Sequence, residues 1–335
     1  MKAHVGIVGF RGYSGAELVR ILARHKYAEP VLLEHRADAE HRPQPVHSGS
    51  PRQVPCTPEA IHKERLAAVF LATPPEVSMD LTLALLEGGA KVIDLSGAFR
   101  LRTPENYARW YKEEHKSPEL LAEAVYGLPE FCRDGIPGAR LISNPGCYPT
   151  AANLAIHPLV EAGLIDLSYG VICDAKSGVS GAGRKPTLKT HFCEVAGNFS
   201  AYSILDHRHV PEVLMISGLK EADFSFTAQL LPLDRGILET IYFRAVVGAT
   251  AEAILEAYVR RYHSEPFIRL YPPGQVPDLA VVQRTNFCDI GFRIDPATGR
   301  AVVVSVIDNL VKGAAGQAIQ NMNLALGFPE TEGLL

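Results

Sequence analysis

A chain of 335 residues with 47% hydrophobic and 21% charged residues has ample material for a large core, and its length divides most simply into two domains. A formal charge of −4 excludes a general attraction for nucleic acid or an anionic membrane, and no window approaches the uncharged length needed to span a bilayer. The start, MKAHVGIVGF, has neither a long apolar run nor a small-residue cleavage site, and six cysteines without a CxxC pair read as reduced thiols, so a cytoplasmic location and no metal site are expected.

The first hundred residues alternate strand and helix. "AHVGIVG" is a β-branched apolar run, and the segment from Ser14 to Lys26 then places Gly15, Leu18, Val19 and Leu22 at helical spacing. "AAVFLAT" and "KVIDLS" are further buried strands, with "DLTLALLEGGA" between them as a helix that ends at glycines. A parallel, helix-covered sheet follows, which makes this an α/β, Rossmann-type domain. From about residue 148 the strands lengthen, as in "GILETIYFRAVV" and a pair between Asn286 and Asp308 that folds around Pro296 to Gly299. This second half reads as α+β.

"GFRGYSG" follows the first strand directly and sets Gly9, Gly12 and Gly15 at GxxGxxG spacing. Glycines there allow a tight turn and a close approach of pyrophosphate, while the N-terminus of the next helix attracts the anion. A lone glycine triplet in a loop would more often be a simple turn, but a strand before it and a helix after it reverse that preference. An acidic residue ending the second strand favours NAD and a nearby arginine favours NADP; "VLLEHRADAEHRP" offers Glu34 together with Arg36 and Arg42, which leaves the choice open.

In "SNPGCYPTAA" a strand, "ARLISN", meets a Pro-Gly break, and a mostly apolar helix begins just after Cys147. At a helix N-terminus the dipole and the backbone N–H groups favour thiolate over thiol, the form that attacks a carbonyl. A free cysteine more often simply packs, and the other five are read that way. "DHRHVPEV" groups His207, Arg208 and His209 beside Glu212, a possible orienting carboxylate, although a polar surface loop is the plainer reading of those residues alone. "KSGVSGAGRK" is a second glycine-rich loop, which would let backbone approach a ligand.

Together the blocks GFRGYSG, PGCYPT, SGVSGAGR and HRHVPE, with "DLSGAFRL", "RGILETI", "FCDIGF" and "DNLVKGAA", resemble the N-acetyl-gamma-glutamyl-phosphate reductases of arginine biosynthesis, relatives of aspartate-semialdehyde dehydrogenase. The resemblance runs from Gly6 to the final helix. It implies a dinucleotide-binding domain over residues 1–147, completed by the C-terminal helix over 312–335, and an α+β catalytic and oligomerisation domain over 148–311. It implies a phosphorylating aldehyde dehydrogenase that reduces N-acetyl-L-glutamyl 5-phosphate with NADPH, as a homodimer or homotetramer. Cys147 is then the nucleophile that forms a thioester, and His209 manages protons at it. The resemblance implies that Gly9, Gly12, Tyr13, Ser14, Gly15, Arg36, Gly178, Gly181 and Asn309 meet the cofactor. Arg100, Asn144 and Arg208 are the candidates for the substrate; the forked guanidinium of Arg100, in "SGAFRL", suits the leaving phosphate, although a surface ion pair is its plainer reading. Glu34 would repel a 2′-phosphate unless Arg36 or Arg42 outweighs it. Other readings are a reductase of a longer acyl phosphate such as an aminoadipate derivative, a Cys-His hydrolase or acyltransferase without a redox step, and a non-catalytic nucleotide sensor.

Overall fold

The structure is a computed structural model that describes residues 2–35 and 49–335, so Arg36 and Arg42 lie outside the described residues. The chain separates into two compact units, one made of Met1–Pro145 with Ala314–Leu335 and the other of Gly146–Gly313.

The first unit contains β1 (Ala3–Val8), α1 (Tyr13–Leu22), β2 (Ala28–Glu34), β3 (Arg52–Pro55), α2 (Pro58–Glu64), β4 (Ala68–Leu71), α3 (Pro75–Glu87) and β5 (Lys91–Asp94). It continues through α4 (Pro104–Tyr111), α5 (Pro118–Glu123), β6 (Val125–Tyr126), α6 (Pro129–Cys132) and β7 (Leu141–Ser143). Each of α2 to α6 opens on a proline, whose missing N–H costs nothing in a first turn and whose fixed φ suits the helix. Thr57 and Thr103 close two of these ends by accepting from the backbone N–H groups of Ala60 and Asn106. The strands form one wholly parallel sheet in the order β3-β2-β1-β4-β5-β7-β6. Strand order reverses beside β1, and a doubly wound sheet binds ligands at the carboxyl ends of its strands at such a point.

The second unit begins with α7 (Cys147–Glu161) and β8 (Val171–Gly178), then α8 (Phe192–Val195), β9 (Ser200–Tyr202), α9 (Val210–Ser217) and β10 (Phe224–Leu231). After these come β11 (Ile237–Arg244), α10 (Ala251–Tyr262), β12 (Ile268–Leu270), β13 (Cys288–Ile294) and β14 (Arg300–Ile307). Its sheet runs β12-β13-β14-β11-β8-β10-β9, antiparallel except for the β8–β10 and β12–β13 pairs. The hairpin expected between Asn286 and Asp308 is β13–β14.

Helix α7 is apolar on almost every side and buried accordingly, packed on the sheet and against α9 and α10. Pro158 inside it has no N–H to give the carbonyl of Leu154, and the Tyr262 hydroxyl of α10 donates to that oxygen instead at 2.7 Å. Tyr258 donates to the carbonyl of Ala155 at 2.6 Å, and Ser305 Oγ of β14 donates to that of Ala151 at 3.0 Å. The helix that carries Cys147 is thus anchored along its length.

The final helix has two parts: Val311–Ala315 form a π-helix, and the α-helix, α11, occupies Gly316–Leu326. Such wide turns are rare and occur mostly as single turns, frequently near functional sites.

Candidate active site

The turn after β1 is built by its glycines. Gly9 has φ of +77°, and a Cβ there would lie 2.3 Å from the carbonyl oxygen of Ala72. A Cβ on Gly15 would stand 2.2 Å from the carbonyl oxygen of Gly9, so α1 could not close on the turn with any other residue. Gly12 caps α1 with extended backbone, and no side chain of its own competes for the first N–H groups of the helix. Tyr13 is exposed and Ser14 half-buried beside it. This is a cradle open to a pyrophosphate, and the donors and the close approach fit one.

Glu34 ends β2 as expected, but its charge is not isolated. Arg11, from the glycine turn itself, approaches it with Nη2 at 3.3 Å, and Gln53 donates to the same carboxylate. Sequence reasoning looked for the compensating cation after Glu34 and missed Arg11, which lies 23 residues earlier. Only the β1–β2 pairing brings the two together.

In the second unit, Cys147 is the first residue of α7 and is half-buried, while Gly146 caps the helix with extended backbone. The Gly146 N–H donates to Glu212 Oε2 at 2.9 Å. Pro149 brings no N–H, so Gly146, Cys147 and Tyr148 supply the N–H groups of the helix start, and the first of them belongs to Glu212. Glu212 is fully buried, and its own carbonyl accepts from Asn153 Nδ2 of α7 at 3.3 Å, which ties α9 to α7 twice. The carboxylate foreseen as a possible orienting group for a histidine also holds the backbone next to Cys147.

His209 caps α9, and its imidazole lies against the Gly146 peptide: a Cβ on Gly146 would sit 2.8 Å from its Nε2. Gly146 therefore has to lack a side chain for the imidazole to reach the start of α7. His207 Nδ1 accepts from the His209 N–H at 3.2 Å, which fixes its proton on Nε2. Burial, and then the charge of Arg208, pull the His207 pKa down to about 4, so it is neutral near pH 7. Its ring sits among those of Tyr148, Tyr202, Phe226 and His209 at centroid distances from 4.8 to 5.6 Å. Tyr148 and Tyr202 share a hydroxyl contact of 3.1 Å, and burial pushes the pKa of both upward, keeping them as neutral phenols. Arg208, between the two buried histidines, is exposed.

Gly178, Gly181 and Asn309 do come together. Asn309 Oδ1 accepts from the Gly236 N–H at 2.6 Å and its Nδ2 donates to Ser180 Oγ at 2.9 Å, so its amide ties two loops. Gly178 lies against the backbone of Arg235, where a Cβ would come within 2.8 Å.

Arg100 and Asn144 are buried in the first unit. Arg100 donates through Nε to the carbonyl of Asn144 and through Nη2 to that of Leu95, each at 2.8 Å. Asn144 donates from Nδ2 to the carbonyl of Ala314 at 3.2 Å and accepts from Asn321 Nδ2 at 3.0 Å. These bonds brace the carboxyl ends of β5 and β7. Of the cysteines expected to pack, Cys173 and Cys288 are buried, whereas Cys193 is exposed. Among the described residues no group of three or more His, Cys, Asp or Glu is placed to hold a metal, and no helix is long and apolar enough to cross a membrane.

Comparison with known proteins adds to this geometry. The profile of the semialdehyde dehydrogenase NAD binding domain matches residues 4–139, and that of the semialdehyde dehydrogenase dimerisation domain matches residues 147–309. The N-acetyl-gamma-glutamyl-phosphate reductase of Symbiobacterium thermophilum is 47% identical over 342 residues, covering all of this chain and 98% of the relative. The protein of that name from Methanopyrus kandleri is 48% identical, covering 98% and 97% of the two chains. Among solved structures, an aspartate semialdehyde dehydrogenase II of Vibrio cholerae matches with a TM-score of 0.73 at 18% identity, over 98% of this chain and 99% of that one. An aspartate semialdehyde dehydrogenase of Candida albicans with NADP matches at 0.71 and 17% identity, over 97% and 98%; both likenesses concern the fold.

Proposed function

The chain belongs to the N-acetyl-gamma-glutamyl-phosphate reductase family, and we propose that it carries out the reaction of that family with NADPH and through a thioester on Cys147. That reaction, in arginine biosynthesis, converts N-acetyl-L-glutamyl 5-phosphate to N-acetyl-L-glutamate 5-semialdehyde and phosphate. The observation that carries the reading is the placing of Cys147 on the first turn of α7 with the His209 imidazole against its cap.

Cys147 gives its thiol proton to His209 and attacks the acyl carbon; a C–S bond forms, the bond to the phosphate oxygen breaks, and phosphate leaves. A nicotinamide dinucleotide, held by Gly9, Gly12, Tyr13, Ser14 and Gly15 at the start of α1, supplies hydride when bound. Gly178, Gly181 and Asn309 act on the cofactor through the loop they build. His209 then handles the hydroxyl proton of the thiohemiacetal as the Cys147 sulfur departs. Backbone N–H groups at the α7 start face the oxyanion that develops at the same carbon, with Glu212 fixing the turn that presents them. Exposed Arg208 suits an anionic group of the substrate, and Arg100 and Asn144 keep the strand ends in place. Arg11 supports the choice of NADPH, because it offsets Glu34 and offers a fork for a 2′-phosphate.

Self-association belongs to the same reading, as a homodimer or a homotetramer. The part that matches the dimerisation domain exposes Leu188, Phe192, Phe199, Ile204 and Leu205, each more than half exposed. The test of the catalytic reading is the phosphate-dependent reverse reaction, with N-acetyl-glutamate 5-semialdehyde and either NADP or NAD. Growth of the reduced nicotinamide absorbance with NADP is expected. Its absence, or equal turnover of an N-acetyl-aminoadipate semialdehyde, overturns the assignment.

A further inference from the structure

The π-helix brings Gly313 against the residue that carries the nucleophile. A Cβ on Gly313 would lie 2.8 Å from Cys147 Cβ and 3.3 Å from Cys147 Cα, with Ile307 Cδ1 also at 3.3 Å. Carbon atoms in van der Waals contact stand about 3.5–4.0 Å apart, so the two β-carbons could not coexist without one backbone moving. The wide turn is what delivers this contact: the Gly313 N–H reaches back to the carbonyl of Asp308 at 2.9 Å, a five-residue step that regular α-helix does not make. Asp308 is itself fixed, since its carboxylate accepts from the backbone N–H groups of Leu310 at 2.8 Å, Val311 at 3.1 Å and Arg284 at 2.6 Å and pairs with Arg235 at 3.2 Å. Behind Gly313 the chain has little freedom to retreat.

We propose that Gly313 is a positioning residue for the reaction: its bare backbone is the wall against which Cys147 Cβ rests, and this contact fixes the point from which the thiol attacks. On the other side of Cys147, its neighbour Gly146 leaves room for the His209 ring. The nucleophile thus stands between two places where a side chain is excluded. Adding a methyl group at Gly313 displaces Cys147 relative to His209 and to the N–H groups of its own turn. A misplacement of about 1 Å costs on the order of a hundredfold in rate.

This inference rests on the assignment of Cys147 as the nucleophile, and the experiment separates the two. Gly313→Ala is compared with wild type in kcat, in the KM and Kd for NADPH, and in the pH profile of Cys147 alkylation by iodoacetamide. Expected are a fall in kcat of about a hundredfold, a KM and Kd for NADPH within twofold of wild type, and an altered alkylation profile. A folded Gly313→Ala protein with kcat and alkylation profile within twofold of wild type overturns the proposal. Full activity of Cys147→Ser would instead overturn the nucleophile while leaving the Gly313 contact intact. Should Gly313→Ala fold poorly, Cys147→Gly is introduced into it, removing one of the two colliding carbons. Recovery of thermal stability relative to the single variant supports the contact, and no recovery refutes it.

Discussion

Helices α1 and α7 both begin on a glycine with extended backbone, Gly12 at φ −71°, ψ 171° and Gly146 at φ −66°, ψ 153°, and neither cap is closed by a side chain of its own. Each follows a parallel strand, so local sequence prepares the two starts in the same way. What they become differs. At α1 the glycines keep side chains away and an exposed Tyr13 follows, leaving an open turn for a large anion. At α7 the first N–H is taken by Glu212, an imidazole lies on the cap, and Gly313 of the π-helix leaves no room for a side chain of its own beside Cys147 Cβ. A helix N-terminus offers positive potential in both places; the neighbours decide whether it stays open to an anion or is closed in around its first residue.

The comparison breaks most sharply at Cys147. Cys147→Ser is expected to lose about 10⁴-fold or more in kcat while NADPH still binds with near wild-type Kd, because the α1 turn is untouched. Steady-state turnover and a fluorescence titration measure the two. Near-normal turnover would make the α7 start a second binding turn and end the thioester mechanism.

Next in size is the contrast between the two histidines. His209→Asn should lower kcat by about 10²- to 10⁴-fold with little change in NADPH binding. His207→Asn should be milder, since His207 accepts from the His209 N–H and holds it in place, a task in which a side-chain amide oxygen is a partial substitute. A larger defect at His207 than at His209 would reverse their roles.

His207 also predicts a stability limb. With its folded pKa near 4 and an unfolded value near 6.5, the unfolded chain binds more protons in between. Stability is therefore complete above about pH 6.5 and declines as pH falls toward 4, with His207 contributing about 3 kcal/mol at most. Burial lowers His25, His115 and His157 in the same direction, so the His207 share is the difference between wild type and His207→Asn across that window. Denaturant titrations at pH 7 and pH 5 read it; identical pH slopes in the two proteins would show that His207 titrates normally.

The smallest effect belongs to the α1 start. Arg11→Ala should cut the preference for NADPH over NADH by about tenfold, the worth of a hydrogen bond to a charged group, and should leave kcat unchanged. An unaltered preference would return the 2′-phosphate to Arg36 or Arg42.

Much of this was readable before the fold. The run "AHVGIVG" followed by glycines at a fixed spacing forms β1, a turn and α1, because strand, turn and helix propensities there are local and agree. "SNPGCYPTAA" likewise places Cys147 at a helix start. The helix proved to begin at Cys147 rather than after it, and the last helix, which the resemblance implied, opens as a π-helix. Glu212 stood near the histidines in sequence, which suggested an orienting carboxylate; the fold also gives it a bond to a backbone N–H 66 residues away.

The sequence by itself determined the elements and the chemistry each can carry: a parallel sheet, a glycine turn suited to pyrophosphate, a thiol on a helix start and a histidine pair. Tertiary structure alone decided the partners. Arg11 meets Glu34 across β1 and β2, His209 meets the cap at Gly146, and Gly313 meets Cys147 at a distance where only glycine fits. The physical reason is range: turn geometry and helix propensity act within a few residues, whereas steric exclusion and charge pairing depend on separations in space that no spacing along the chain encodes.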